Sequence, residues 1–171
     1  MTKSKSNTVL TGAAGEHFVV SKLLRRGYVA ALAPSGSPNT DIVVTDITGN
    51  RLCSIQVKTR RALGSDGGWH MSKKHESIVG ERLFYCFVDL GESVDSFPRV
   101  HVIPSEIVAS VLTQMHMAWL AVPGANGQQR KDSNFRRLVP DYTRSCAPNP
   151  TPYSLGWLEP YREAWHLLEL D

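Results

Sequence analysis

Hydrophobic spacing along the chain switches between helical and alternating periods, and each switch marks an element. With residues set at about 100° steps, Gly12, Glu16, Val19, Val20, Leu23, Leu24 and Gly27 fall in one sector, opposite Ser21, Lys22 and Arg25, which predicts a helix from Gly12 to Arg26. Phe18 lies outside that stripe, and Gly27 supplies a C-terminal stop. Tyr28 to Ala33 reads as a short strand, and Pro34 to Asn39 as a loop. Two β-branched runs, Ile42 to Ile47 and Leu52 to Thr59, flank a Thr48-Gly49-Asn50 turn signal and predict a hairpin. After a glycine-rich loop at Gly64 to Gly68, Lys73 to Glu81 reads as a helix. Leu83 to Leu90 is nearly all apolar and aromatic, the mark of a central strand buried on both faces. Arg99 to Ile103 is a further strand, and Pro104-Ser105 opens a helix over 105–120 that turns Ile107, Val108, Val111, Leu112 and Met115 inward. This order predicts an α/β fold, a mixed sheet flanked by helices.

Beyond Ala121 the character changes. Residues 121–156 are rich in Pro, Gly, Asn and Gln and carry Arg130, Lys131, Arg136, Arg137 and Arg144, which reads as an irregular segment wrapping the core. Trp157 to Leu168 spaces Trp157, Leu158, Tyr161, Trp165 and Leu168 as one face of a terminal amphipathic helix, a docking face. The expected organisation is a core over 1–120 and a packed extension over 121–171, together one domain at 171 residues.

Composition narrows the setting. An apolar fraction of 42% and a charged fraction of 20% belong to an ordinary globular chain. The net charge of +3 is compatible with a nucleic-acid partner but too mild to require one. Cys53, Cys86 and Cys146 are odd in number and far apart, with neither a disulfide framework nor a CxxC pattern, which points to a reducing compartment. The first residues, MTKSKSNTVLTG, are polar and lack the apolar run of a secretory signal, and nothing approaches membrane-spanning length. The expectation is a cytoplasmic protein with no membrane partner.

The chemistry gathers in the hairpin. Gln56 and Lys58 lie two residues apart on a strand, so they point to one face roughly 6.6 Å apart. A two-residue Gly49-Asn50 loop sets Asp41 opposite Lys58, and a four-residue loop sets it opposite Gln56. Either register puts all three polar groups on one face; a three-residue loop does not unless a bulge corrects it. Glu16, a carboxylate in an apolar stripe, is costly there unless it is ion-paired or part of a site.

Taken together, a helix with an inward Glu16, Asp41 opening the second strand, and Gln56-Val57-Lys58 in the third resemble the PD-(D/E)xK nuclease superfamily of restriction endonucleases and Holliday-junction resolvases. The resemblance covers about Gly12 to Ile103, and GEHFVVSKLLRRGY is similar to the first helix of resolvase-like members. It implies a restriction-endonuclease-like αβββαβ core and Mg²⁺ (or Mn²⁺)-dependent hydrolysis of DNA phosphodiesters. Carried over, Asp41, Gln56, the Val57 carbonyl and Glu16 hold the metal, and Lys58 is the catalytic lysine. Gln56 stands where the superfamily usually has Asp or Glu; some active members carry Gln here, and the expected cost is weaker metal affinity. The alternative is a catalytically weak or inactive nuclease-fold module that binds nucleic acid or protein.

Arg60, Arg61, Lys73 and Lys74 flank this site in sequence and suit phosphate contacts, with a solvated basic surface as the bland alternative. Trp69 is placed either to stack on a base or to pack over the sheet edge. His70 and His75 are five apart with no neighbouring Cys, which argues against zinc and leaves each as a candidate general base. A homodimer is compatible with symmetric duplex cutting, but no residue demands it.

Overall fold

The computed structural model describes residues 8–61, 67–147 and 149–171. The polar N-terminal residues before Thr8, and all but Gly67 and Gly68 of the expected 64–68 loop, lie outside that set.

The first helix, α1, runs Thr8–Leu24 and buries Thr11, Gly15, Val19 and Leu23, a single i, i+4 row. The stripe is narrower than the periodicity predicts: Leu24 is 52% exposed. Phe18, the outlier of the pattern, packs against the core from the flank of that row. Strands β1 (Val29–Leu32), β2 (Ile42–Thr45) and β3 (Leu52–Arg60) follow as an antiparallel meander. With β5 (Leu83–Asp89) and β6 (Arg99–Pro104) they form a five-stranded sheet in the order β1-β2-β3-β5-β6. Only the β3–β5 pair of that sheet is parallel, so the sheet is mixed.

Register in the hairpin is that of the four-residue loop. Thr45 pairs with Leu52 and Ile42 with Ile55, and Asp46 N–H donates to the Arg51 carbonyl at 3.2 Å. Asp41 therefore stands opposite Gln56.

The sheet is covered on both faces. On one, Val19 and Leu23 of α1 lie over Ile42, Val44, Ile55, Val57, Cys86 and Val88. On the other, α2 (Ser105–Ala121) sets Val108 and Leu112 over Tyr85, Phe87 and Ile103. Residues 84–89 of β5 are buried without interruption, as expected of a strand shared by two cores.

Three expectations need correction. Lys73–Glu81 forms one 3₁₀ turn, Lys73–Glu76, rather than a helix. Residues 121–156 are not wholly irregular: β7 (Phe135–Leu138) pairs antiparallel with β4 (Trp69–Ser72) in a second, two-stranded sheet, and α3 (Thr143–Cys146) follows. Its buried Arg136 is compensated by Glu76 and by Asp132 at 3.1 Å, which removes the cost of taking a guanidinium out of water.

Finally, Trp157–Leu168 is two 3₁₀ turns, Glu159–Tyr161 and Trp165–Leu168, not one helix. Pro160 has no N–H to donate back to the Gly156 carbonyl, as an α-helix there would require, and Glu163 takes a left-handed φ of 47°. The apolar residues serve opposite faces of the sheet: Leu158 joins the α2 side, Trp165 and Leu168 the α1 side. Between them the chain crosses the β6 edge, where Glu163 N–H donates to the Val100 carbonyl at 3.1 Å. The docking face is thus used on the chain's own sheet.

All three cysteines are free and buried. Among the described residues, no helix is long and apolar enough to cross a membrane.

Candidate active site

β2 begins only at Ile42, opposite Ile55, so past that pair β3 continues with one edge open. The Asp41 backbone closes the hairpin, its N–H donating to the Ile55 carbonyl at 2.9 Å. Its side chain then takes the place of the missing strand: Oδ2 accepts the Val57 N–H at 2.7 Å and a close contact from Gln56 Nε2. Residue 57 directs N–H and C=O to the same side, so the Val57 carbonyl faces the same open edge. The sequence forces this arrangement because Pro38-Asn39-Thr40 turns the chain into β2, with Asn39 in a left-handed conformation (φ 57°) that asparagine tolerates.

Strand alternation sends Ile55 and Val57 into the α1-side core. Gln56 and Lys58 therefore face the other way, beside Tyr85, which pairs with Gln56 across the parallel β3–β5 ladder. Glu16 reaches the rim from α1. The approach of Gly15 to the Thr59 side chain sets its height: a Cβ on Gly15 would lie 1.9 Å from Thr59 Oγ1. Only glycine lets the helix approach β3 that closely.

Electrostatics tie Glu16, Asp41 and Lys58 together. Burial, then the negative charge of Asp41, push the Glu16 carboxyl above its ordinary range, while His17 and Lys58 oppose them. Burial pulls Lys58 below the usual lysine range; Lys74 adds to that, and Asp41 and Glu16 work against it. Among the described residues, neither the Glu16 carboxylate nor the Lys58 ammonium has a direct hydrogen bond or ion pair. A desolvated ammonium without a direct counterion favours an anion beside it.

The donor set suits a hard divalent cation. Asp41 Oδ1, Gln56 Oε1, the Glu16 carboxylate and the Val57 carbonyl are oxygens, the ligand type that Mg²⁺ takes. Gln56 is 7% exposed, and its amide nitrogen is held by Asp41, which leaves its oxygen without a protein donor among the described residues. The set has two carboxylates and lacks the third of an all-acidic cage; among the described residues no cluster of three or more His, Cys, Asp or Glu could hold a metal.

The flanking residues divide. Arg60 is committed to structure: it bonds Asp89 at 2.8 Å, stacks 3.9 Å above the Trp69 ring and meets the Gly67 carbonyl. Trp69 is 1% exposed and donates its Nε1–H to the Val88 carbonyl at 2.8 Å, so it packs the core and presents no face to a base. Lys73 pairs with Asp132 at 2.7 Å, outside the site. Arg61 is exposed at the end of β3. Lys74 is brought in, bonding Asn39 Oδ1 at 3.3 Å and acting on Lys58. His70 sits on β4 against Phe135 at 5.2 Å, not with the cluster.

Sequence reasoning passed over Tyr85 and Gly15. Tyr85, inside an apolar run, and His75, which stood only as a candidate base, form a buried polar pair beside Gln56, with Nδ1 2.8 Å from the phenol oxygen. The polar atoms of an otherwise apolar strand were the available signal for Tyr85. Gly15, inside a helix where glycine is unfavourable, was the signal for the close approach to β3.

No known family model matches the chain, and no curated protein resembles it in sequence. In three dimensions it is similar to the bacterial homing endonuclease I-Ssp6803I, with a TM-score of 0.52 at 18% identity over 95% of this chain and 92% of that one. A weaker likeness, TM-score 0.42 at 16% identity over 75% of this chain and 83% of the other, is to Hjc, a Holliday junction resolvase from Archaeoglobus fulgidus. The mixed sheet with α1 and α2 on its two faces is the restriction-endonuclease-like nuclease fold, and this chain adopts it.

Proposed function

We propose that the chain is a Mg²⁺-dependent endonuclease that hydrolyses phosphodiester bonds of DNA at the open edge of β3. The observation that carries the reading is Lys58: a desolvated cation without a direct partner, beside Asp41, Gln56 and Glu16, whose oxygens suit a metal. Asp41, Gln56 Oε1 and the Val57 carbonyl would hold the ion, with Glu16 as the outer acid. When bound, Mg²⁺ supplies charge against a phosphoryl oxygen and acidifies a water. Lys58 places its ammonium where negative charge develops on phosphorus. Asp41 has a second task, fixing the Val57 peptide through Oδ2, so its removal disorders the edge as well as the ligand set. The fold shared with a homing endonuclease supports DNA as the substrate.

The test is incubation of the purified chain with supercoiled, linear and branched DNA in Mg²⁺ or Mn²⁺. Cleavage is expected, abolished by EDTA and by Lys58→Ala and Asp41→Ala. A clean protein that cuts none of these rejects the enzyme reading.

One observation favours a second reading, a nuclease-fold module that binds nucleic acid without cutting it. Gln56 brings no charge to the site and spends its amide N–H on Asp41. That reading requires salt-dependent DNA binding unchanged by EDTA.

A further inference from the structure

His75 and Tyr85 form a hydrogen-bonded polar pair on the α2-side face of the sheet, with Tyr85 next to Gln56 across the ladder, and neither has a task in the mechanism above. Tyr85 is 0% exposed, and its phenol meets a single polar atom, His75 Nδ1 at 2.8 Å. A sealed phenol has no water for its hydrogen, and leaving an O–H donor unmade in the interior is costly. The phenol therefore donates, Nδ1 accepts, and the ring proton of neutral His75 lies on Nε2. The tautomer follows from hydrogen-bond accounting, with no titration involved.

His75 Nε2 has no protein partner among the described residues, yet it is not sealed: Thr59 Oγ1 and His101 Nδ1 are the orphaned buried atoms among them. It therefore opens to solvent from a residue only 3% exposed. The charges acting on the ring are Lys58 and Lys74, and with burial they hold it neutral, down to about 4. Lys74 is anchored by Asn39 at 3.3 Å, at the turn into Asp41. An N–H donor with two ammonium groups as its charged neighbours is a site for an anionic oxygen.

We infer that His75, held as its Nε2–H tautomer by Tyr85, donates a hydrogen bond to a phosphate oxygen beside Lys58, so that His75, Lys58 and Lys74 form a phosphate cradle. His75 is thus a donor to substrate and not a base, and Tyr85 is its positioning residue. This rests on the phosphodiesterase reading above, and the test separates the two.

The experiment is long-range ¹H–¹⁵N NMR of the full chain at neutral pH, titrated with inorganic phosphate. Wild type is expected to show the Nε2–H tautomer alone, with the His75 Nε2 resonance moving as phosphate binds. Tyr85→Phe should leave the chain folded, mix the tautomers and weaken phosphate by about 3- to 10-fold, the worth of one hydrogen bond. His75→Gln, which keeps an N–H donor, should retain more affinity than His75→Phe. An Nδ1–H tautomer in wild type, or a His75 resonance that phosphate does not move, overturns the cradle. So does a wild-type chain that cuts DNA while Tyr85→Phe and His75→Phe cut equally well. A wild type that cuts nothing yet shows the tautomer and the phosphate shift rejects the nuclease reading and leaves the anion site standing.

Discussion

Gly15→Ala is the sharpest probe of how α1 delivers Glu16. A mid-helix Gly→Ala change ordinarily stabilises by about 0.5–1 kcal/mol through helix propensity. Here the new Cβ meets Thr59 Oγ1 at 1.9 Å, Cγ2 at 2.8 Å and Cβ at 2.9 Å. Rotation about χ1 can swing Oγ1 and the methyl aside, but it leaves Thr59 Cβ where it is. Ordinary carbon contact is about 3.5 Å, so from 2.9 Å the helix must still withdraw by about 0.6 Å. Overpacking of that kind costs about 1–3 kcal/mol, which offsets or exceeds the propensity gain. Gly12 is the control, because its Cβ would meet nothing within 4 Å in the same helix. Urea unfolding followed by tryptophan fluorescence should place Gly15→Ala about 1–3 kcal/mol below Gly12→Ala. Thr59→Ala should recover part of the loss in the double variant. Displacing Glu16 by that distance should also slow DNA cleavage about tenfold. If Gly15→Ala is as stable as Gly12→Ala, the close α1–β3 approach is not what sets the height of Glu16.

Gln56→Glu replaces an amide donor to Asp41 with the site's third carboxylate, so without metal it should lower the melting temperature, while Mn²⁺ should raise the variant's more than the wild type's; equal responses would remove Gln56 from the metal site. His75 titrates at about 4 in the folded chain against 6.5 when free, so the unfolded chain binds more protons between those values and stability falls as pH drops through that window. The full difference is about 3 kcal/mol and solvent screening reduces it to about 1–2, a loss that His75→Gln should abolish in urea titrations at pH 7 and pH 4.5. Ending the chain at Gly156 removes the buried Leu158, Trp165, Leu168 and Leu170, each worth about 1.5–3 kcal/mol, and should leave a protein without a cooperative melting transition.

Much of the architecture follows from local pattern. Asp46 and Arg51 close the hairpin, so Asp41 lands opposite Gln56 as the four-residue loop requires. Glu16 is legible in the sequence because a carboxylate among Val19, Val20 and Leu23 is out of place there. The misread stretches share a cause: their residues answer to distant partners. Trp157, Leu158, Tyr161, Trp165 and Leu168 keep helical spacing, but Leu158 and Trp165 pack on opposite faces of the sheet. Phe135–Leu138 carries two arginines and does not look like a strand until Glu76 and Asp132 are found beside Arg136. Trp69 resembles a stacking residue in sequence because neither Arg60 above its ring nor the Val88 carbonyl at its nitrogen is visible there. The His75–Tyr85 pair joins an irregular turn to β5 and has no sequence spacing to betray it.

The central claim is that the open edge of β3 holds a metal against Lys58. Crystals of the chain soaked in Mn²⁺, with anomalous data collected at the manganese edge, test it most directly. The account predicts one anomalous peak bounded by Asp41 Oδ1, Gln56 Oε1 and the Val57 carbonyl at about 2.0–2.2 Å, with Glu16 on its outer side. Full occupancy elsewhere with that edge vacant, or no peak at manganese concentrations that support other nucleases of this fold, would contradict it.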